Sequence, residues 1–412
     1  MDYITCKKFA DVAVKIGVNL QKGQDAIIFI SPRHYELANV IAQTCYENGA
    51  RRVNIEYIDE DLMKLKYKHE SLKTLKDIPE WEILKFKQRS EDLPCLIHVI
   101  DDDPDAFKGL NLKKINEARI AKAKKVKIYR DKESLYNQWT IIALPSPSWA
   151  KKVFPKCKNA EEKLLNAIMH TTRLDNDDPF LAWEKHIEEL DQKAKILNDL
   201  NLDYLVYKSS NGTNLTLKLQ PGHVWLSARS KNLKGIPYCA NLPTEEVFTM
   251  PKKDGVNGVV YSTKPLSYNG KIIEDFRIEF ENGRIINISS KKNEKVLIDA
   301  INTDEGSHYL GEVALVPYSS PINESGILFY NTLFDENASC HLAFGDTYLE
   351  TLKDYGNMKE EDFKKLNLNE SVIHVDFMIG AKDLDIIGYD FNNKPHQIFK
   401  NGNWLFKTFI IL

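Results

Sequence analysis

The sequence predicts an α/β amino-terminal domain with a mostly parallel sheet, followed by an α+β carboxy-terminal domain rich in antiparallel strands. Three observations carry this. Short apolar strands alternate with amphipathic helices through the first 150 or so residues. After residue 203 the helices thin out, and strands separated by Asn-Gly turns take over. Between the two lies a long amphipathic helix preceded by the turn cluster Asp175-Asn-Asp-Asp178-Pro.

Taken in order, Ile4, Phe9, Val12, Ala13 and Ile16 share one helical face, and Gly17 ends that helix. Lys22-Gly-Gln-Asp is a turn into the apolar strand Ala26–Ile30. A helix over 35–48 stops at Gly49, and Arg52–Tyr57 is the next strand. A strand–helix–strand run of this kind implies parallel pairing through a right-handed crossover. Cys95–Ile100, Val126–Tyr129 and Thr140–Leu144 are expected to extend the sheet into a doubly wound arrangement. Helices follow at 160–172 and 183–200, the second with a stripe through Ile187, Leu190, Ala194 and Leu197. The expected domains are 1–198 and 199–412. The second contains strands at Tyr204–Tyr207, Leu215–Leu219, Val259–Thr263, Phe276–Phe280 and Arg284–Ile288, with helices at 293–301 and 338–350.

Composition narrows the function. A chain of 412 residues that is 43% hydrophobic and 28% charged buries real cores. Its formal net charge of −3 gives no sign of a nucleic-acid partner, and Lys122-Ala-Lys124-Lys125 reads as a solvated helix face. No stretch approaches the roughly 18 apolar residues of a membrane span, and the start Met1-Asp-Tyr-Ile is no signal peptide. Six scattered cysteines without a C-x-x-C pair fit a reducing compartment, so a cytoplasmic location is expected. Neither G-x-G-x-x-G nor G-x-x-x-x-G-K-[ST] occurs, so the α/β domain lacks nucleotide-binding loops. Asp101-Asp102-Asp103-Pro104-Asp105 reads as a solvated loop and helix start rather than a cation site, and His98 as a satisfied core or edge histidine. This half is expected to shape the substrate cavity or to dimerise.

The chemistry concentrates in residues 239–376. Glu245-Glu246, Glu312, Asp335-Glu336, His341, His374 and Asp376 each lie beside apolar sequence. A charge next to a core segment costs several kcal/mol unless it is paired or bound to a metal. His374 and Asp376, two apart on a strand, face the same way and can share an ion. His341 and Tyr348, seven apart on the expected helix, would share a helical face. Side chains alternate along an extended chain, so only one of Glu245 and Glu246 can face the site, and spacing does not say which. Any one of these carboxylates alone reads as a helix cap or ion-pair partner, and Cys340 as a packed helix residue. Together, two imidazoles and several carboxylates form a mixed N/O set suited to Zn²⁺, Co²⁺ or Mn²⁺. Two ions about 4 Å apart polarise a carbonyl and activate a water together, with Tyr348 placed to donate to an oxyanion.

Four stretches are similar to those of a known family. Asn241-Leu-Pro-Thr-Glu-Glu246-Val-Phe-Thr, Leu310-Gly-Glu312-Val-Ala-Leu-Val-Pro, Phe334-Asp-Glu336-Asn-Ala-Ser-Cys-His341-Leu-Ala-Phe-Gly and His374-Val-Asp376-Phe-Met-Ile-Gly resemble those of the M29 metallo-aminopeptidases, as do the chain length, the motif order and the closing Asn401-Gly-Asn-Trp404. The resemblance implies a two-metal centre held by Glu246, Glu312, Glu336, His341, His374 and Asp376, loaded with Zn, Co, Mn or Mg. It favours Glu246 over Glu245, and it makes Tyr348 the active-site tyrosine. It further implies a homodimer whose amino-terminal domains help enclose a cavity, acting on short peptides as an aminopeptidase. Glu312 or Glu246 would pass a proton to the leaving amine. A two-metal phosphoesterase or amidase would use the same ligand types, and a structural metal protein would use them with no open coordination position.

Overall fold

The computed structural model describes residues 1–101 and 103–406, and the backbone alone of Glu360. The chain forms two compact units. One is Met1–Glu184 with Arg229–Leu242, and the other is Lys185–Ala228 with Pro243–Leu412.

The first unit is built on a four-stranded sheet of β1 (Asp25–Ile30), β2 (Arg52–Tyr57), β3 (Cys95–Ile100) and β4 (Trp139–Ala143), in the order β2-β1-β3-β4. Every pairing is parallel. β1 and β3 are nearly continuous runs of buried apolar side chains, as expected of parallel strands covered on both faces. Asp2 caps α1 (Tyr3–Asp11), which continues into a π-helical turn at Val12–Gly17, and α2 (Tyr35–Glu47) connects β1 to β2. The expected α/β class with a parallel sheet holds.

One expected strand is absent. Val126–Tyr129 lies inside a helix of 25 residues, Leu112–Tyr136. The local pattern Val-Lys-Ile-Tyr alternates as a strand would, but only Val126 is buried, and Ile128 is 73% exposed. The Lys- and Ala-rich flanks propagate helix from the Asn111 cap, whose side chain accepts the Lys114 N–H.

The acidic run at 101–105 has protein partners. Asp101 accepts from Arg33 and His34 at 3.2 and 3.1 Å. Asp103 caps the Asp105 N–H at 2.9 Å, and Asp105 pairs with Lys152. Asp102 lies outside the described residues, and the following helix begins only at Leu112. His98, on β3, stacks on Phe29 with centroids 4.6 Å apart, a core role as expected.

The second unit contains a nine-stranded sheet. Its strands include β5 (Leu202–Lys208) and β6 (Asn214–Leu219). The short pair β7 (Ser230–Lys231) and β8 (Pro237–Tyr238) belongs to the first unit. The chain then runs through β9 (Val247–Thr249), β10 (Pro251–Tyr261), β11 (Leu266–Tyr268), β12 (Lys271–Glu281), β13 (Arg284–Lys292), β14 (Leu310–Leu315), β15 (His341–Gly345), β16 (His374–Met378), β17 (Asp385–Asp390), β18 (Pro395–Lys400) and β19 (Asn403–Trp404). The large sheet has the order β11-β12-β10-β6-β5-β17-β18-β19, with β13 also on β12. A separate four-stranded sheet, β16-β15-β14-β9, is antiparallel throughout. The expected α+β class holds, and this smaller sheet carries the candidate site. No helix among the described residues is long and apolar enough to cross a membrane.

Burial, and then the cations of Arg89 and Arg130, hold the His98 imidazole down at about 4 against an ordinary 6.5. The folded value lies below the unfolded one. The neutral ring therefore stabilises the fold above pH 6.5, and that contribution is lost as pH falls toward 4. Urea denaturation at pH 7 and pH 5 will show a drop of about 2 kcal/mol from this group. His98→Phe will lose correspondingly less over the same interval, and an equal drop in both proteins contradicts the assignment.

Candidate metal centre

The register of the small sheet explains how the site forms. Glu312 pairs with Ala343, and Ala343 with Asp376. His341 pairs with Ala314 and Met378, and His374 with Gly345. Directly opposed residues share a face, so Glu312, His341, His374 and Asp376 project from one side. Their neighbours on that side, Ala314, Ala343 and Gly345, are small and leave room between them. Phe248 pairs with Ala314 and so lies on the same face, and Glu246, two residues earlier, follows it. The other face carries Val313, Leu342, Phe344, Val375 and Phe377 and is core. There Phe377 packs on Phe276 and Phe344.

Gly311 is the irregular point. The register shifts between Leu310 and Glu312, so two residues of β14 oppose one of β15. Such a bulge re-aims the side chain that follows it, here Glu312. A Cβ at Gly311 would lie 2.0 Å from the Asp346 carbonyl oxygen and 2.5 Å from that of Gly345, so only glycine fits.

Two groups of donors converge. Glu246, Glu312 and His341 place one ligand atom each within 4.8 Å of one another, and so do Glu312, His374 and Asp376. Glu312 belongs to both. His374 Nε2 lies 2.9 Å from Glu312 Oε2 and 3.1 Å from Asp376 Oδ1. His341 Nε2 lies 3.2 Å from Glu246 Oε2. The second ring nitrogens face backbone carbonyls: His374 Nδ1 is 2.8 Å from Asp346 O, and His341 Nδ1 is 3.3 Å from Ser339 O. Donation of each Nδ1–H to a carbonyl leaves the Nε2 lone pair, on the side of the carboxylates, available to a cation, the usual orientation of a metal-binding histidine. Glu312 and His341 are 4% and 1% exposed.

The electrostatics are severe. Burial, then Glu246 and Asp376, raise the Glu312 carboxyl, although His374 pulls against them. Glu336 is raised well above its usual value by burial and by Asp376, Glu246 and Glu312. Burial would also raise Asp376, but the imidazoles of His374 and His341 hold it below the usual range. Burial opposes charge on His341, yet Glu246, Glu312 and Asp376 drive it up to about 10. His374 is raised well above its usual value by Asp376 and Glu312 against the same opposition. Among the described residues, neither lysine nor arginine pairs with Glu246, Glu312, Glu336 or Asp376. Buried carboxylates whose positive partners are imidazoles, with oxygen and nitrogen donors and no thiolate, form a donor set suited to divalent cations.

The structure departs from the sequence reading at three points. His341 and Tyr348 do not share a helix: residues 341–345 are strand β15, and Tyr348 stands in the turn beyond it. β15 is buried at every position, so its side chains show no alternation, and an apolar run of that kind is indistinguishable from helix by periodicity. Tyr348 nevertheless reaches the site. Its ring centroid is 4.7 Å from that of His374 and 6.0 Å from that of Phe248. The residue is 40% exposed. Surrounding protein and then Glu312, Asp376, Glu336 and Glu246 hold its phenol well above its usual value, so it stays protonated. Cys340 is a buried residue at the head of a strand rather than on a helix, its thiol donating to Val316 O and pushed up to about 12 by burial.

Glu336 follows the short helix Thr332–Asp335 in a single 3₁₀ turn and contacts the same pocket as Asp376, together with Pro265, Leu266 and Met378. Asp335 turns away from that role, accepting the Phe329 and Asn331 N–H groups at 2.8 and 3.0 Å. Glu245 is directed away from Glu246 and lies 3.6 Å from His186 Nε2, which also meets Thr244 O at 2.8 Å. Sequence reasoning missed Asn337 and Gly311. Their only signal was position, each directly beside an expected acidic residue.

The whole chain has relatives. The family profile described as thermophilic metalloprotease (M29) matches residues 4–404. Aminopeptidase AmpS of Bacillus subtilis (strain 168) is 45% identical over 402 residues, covering 97% of this chain and 98% of that protein. Aminopeptidase 2 of Geobacillus stearothermophilus is 39% identical over 403 residues, covering 97% of each. The solved structure titled wild-type AmpT from Thermus thermophilus superposes with a TM-score of 0.90 at 33% identity, over 98% of this chain and 99% of that one.

Gly311→Ala is expected to cost about 2 kcal/mol or more in denaturant unfolding, because the added methyl meets backbone that cannot rotate away. Glu312 moves with the bulge. Thermal stabilisation of the variant by an added divalent cation will therefore be weaker than that of the parent, and unchanged stability contradicts the bulge assignment.

Proposed function

The chain belongs to the M29 family of thermophilic metalloproteases and is a metallo-aminopeptidase, and we propose that it removes amino-terminal residues from short peptides with two divalent ions. The observation that carries this is the pair of donor groups on one sheet face that share Glu312. Glu246, Glu312 and His341 would hold one ion and Glu312, His374 and Asp376 the other, with Glu336 completing the set. Zn²⁺, Co²⁺, Mn²⁺ and Mg²⁺ are the candidates. When bound, such ions polarise a carbonyl and lower the pKa of a coordinated water.

The rest of the assignment concerns the chain's own groups. Carboxylates outnumber imidazoles on this face, a surplus of negative charge that two divalent ions would offset. The relatives that match along the chain are named aminopeptidases, which supports an aminopeptidase over a phosphoesterase. Tyr348, kept protonated by burial and then by its acidic neighbours, donates a hydrogen bond to the oxyanion that forms at the first peptide carbonyl. Glu312 or Glu246 carries the proton to the leaving amine. Asp346 O and Ser339 O keep His374 and His341 oriented throughout. Residues 199–412 would carry the chemistry, and residues 1–198 would shape the substrate cavity or serve assembly into a homodimer. The six free cysteines support a cytoplasmic location.

The first test is hydrolysis of aminoacyl-p-nitroanilides after chelator treatment and again after each metal is restored. Activity is expected to vanish, to return with at least one ion, and to require a free amine. Turnover of phosphate esters but not aminoacyl amides by metal-loaded protein would overturn the reading. Glu312→Ala removes the donor common to both groups. It should lower activity by more than about 100-fold, beyond what loss of an outer partner costs, and abolish metal binding while circular dichroism stays native. Near-parental hydrolysis by that variant excludes Glu312 as a shared ligand.

A further inference from the structure

Four of the six candidate ligands, Glu312, His341, His374 and Asp376, sit within strands whose ladders fix their backbones. Glu246 and Glu336 do not. Glu246 precedes β9, at the end of a stretch without regular structure, and Glu336 lies in the single turn Glu336–Ala338. Two residues carrying mutually repelling carboxylates therefore lack the restraint that the others have.

Asn337 connects them. It is fully buried. Its side-chain oxygen accepts the Glu245 backbone N–H at 2.7 Å, immediately before Glu246. Its amide nitrogen donates to Leu333 O at 3.2 Å and to Glu336 Oε1 at 3.4 Å. The partners leave no ambiguity in the amide's orientation, since one is a donor and the other two are acceptors. Its own carbonyl accepts the buried Ser320 hydroxyl at 2.7 Å, which anchors the turn from below. One side chain thus substitutes for a missing ladder bond on the Glu246 segment and engages one oxygen of Glu336.

We propose that Asn337 is a positioning residue that sets the separation between Glu246 and Glu336, so that both carboxylates reach the same pair of cations. The proposal rests on the ligand reading above. It differs from a packing role in what it predicts: loss of Asn337 changes the geometry around the ions, not only the stability of the fold. Asn337→Ala removes both links. Asn337→Asp is isosteric, keeps the acceptor for Glu245 N–H, and replaces donation to Glu336 with a second negative charge.

The experiment is Co²⁺ titration of the full-length, chelator-treated protein, read by visible absorption and by competition with a chelator of known affinity. Urea unfolding of the metal-free proteins and steady-state kinetics accompany it. Both variants are expected to bind Co²⁺ 10- to 100-fold more weakly, with an altered absorption band, and to lose kcat with little change in KM. Parental affinity and spectrum in Asn337→Ala, whatever its metal-free stability, overturn the proposal. Parental binding in Asn337→Asp overturns the link to Glu336. If the alanine variant does not fold, the isosteric aspartate carries the test alone. A parent protein that binds no Co²⁺ overturns the ligand reading and this proposal with it, whereas parental binding retained in the variants overturns this proposal alone.

Discussion

Carboxylates repel one another, and burial magnifies the repulsion because water no longer screens it. Burial, and then the repulsion among Glu246, Glu312, Glu336 and Asp376, nevertheless drives Glu312 and Glu336 upward together. Holding them there is the constraint to which the rest of the carboxy-terminal unit answers. The smaller sheet meets it by spending one face on the site and the other on the core. Val313, Leu342, Phe344, Val375 and Phe377 bury against aromatic neighbours such as Phe276 and hold the strands in register. On the polar side, Ala314, Ala343 and Gly345 keep the space between the ionisable groups open. The two imidazoles, each tied to a backbone carbonyl, supply the positive charge that the fold itself can offer.

That arrangement is rigid where it can be and patched where it cannot. A ladder hydrogen bond is a backbone restraint and costs no side chain. The β14–β15–β16 strands provide it for four of the six candidate ligands. A bulge at Gly311 then turns one of them, Glu312, to the position where both donor groups need it. The remaining two depend on side-chain bonds, which is where a buried asparagine becomes informative. A buried amide is costly unless all its polar atoms are met, and those of Asn337 are met by the two segments that lack a ladder.

The amino-terminal unit answers to different physics. The two central strands of its parallel sheet, β1 and β3, are buried along most of their length, and its loops lack the glycine patterns that cradle phosphates. The described aspartates of the 101–105 run are neutralised by Arg33, His34 and Lys152 or used to cap a turn. His98, half-buried on β3, packs against Phe29 rather than gathering carboxylates. Among the described residues, this unit has no match for the concentration of buried acid found in the other.

The sequence by itself determined the fold class of both halves and, through its four motifs, the resemblance that points to the family and to the candidate ligands. Period and spacing account for the fold class and for two local features: the two-residue step from His374 to Asp376 survives into β16, and the alternation of Glu245 and Glu246 survives in the chain leading into β9. Where the local pattern was degenerate, it misled. Residues 341–345 form a strand buried on every side, and a strand with no polar face has no period to read. Val126–Tyr129 alternate as a strand would, yet they continue a helix whose flanks outweigh four residues. Only the tertiary structure decided that Glu312 is common to two donor groups, that Tyr348 approaches His374 from a turn, and that Asn337 joins segments 92 positions apart. Each of these depends on which strands become neighbours. That is set by the packing of the whole apolar face and is encoded in no single stretch of chain.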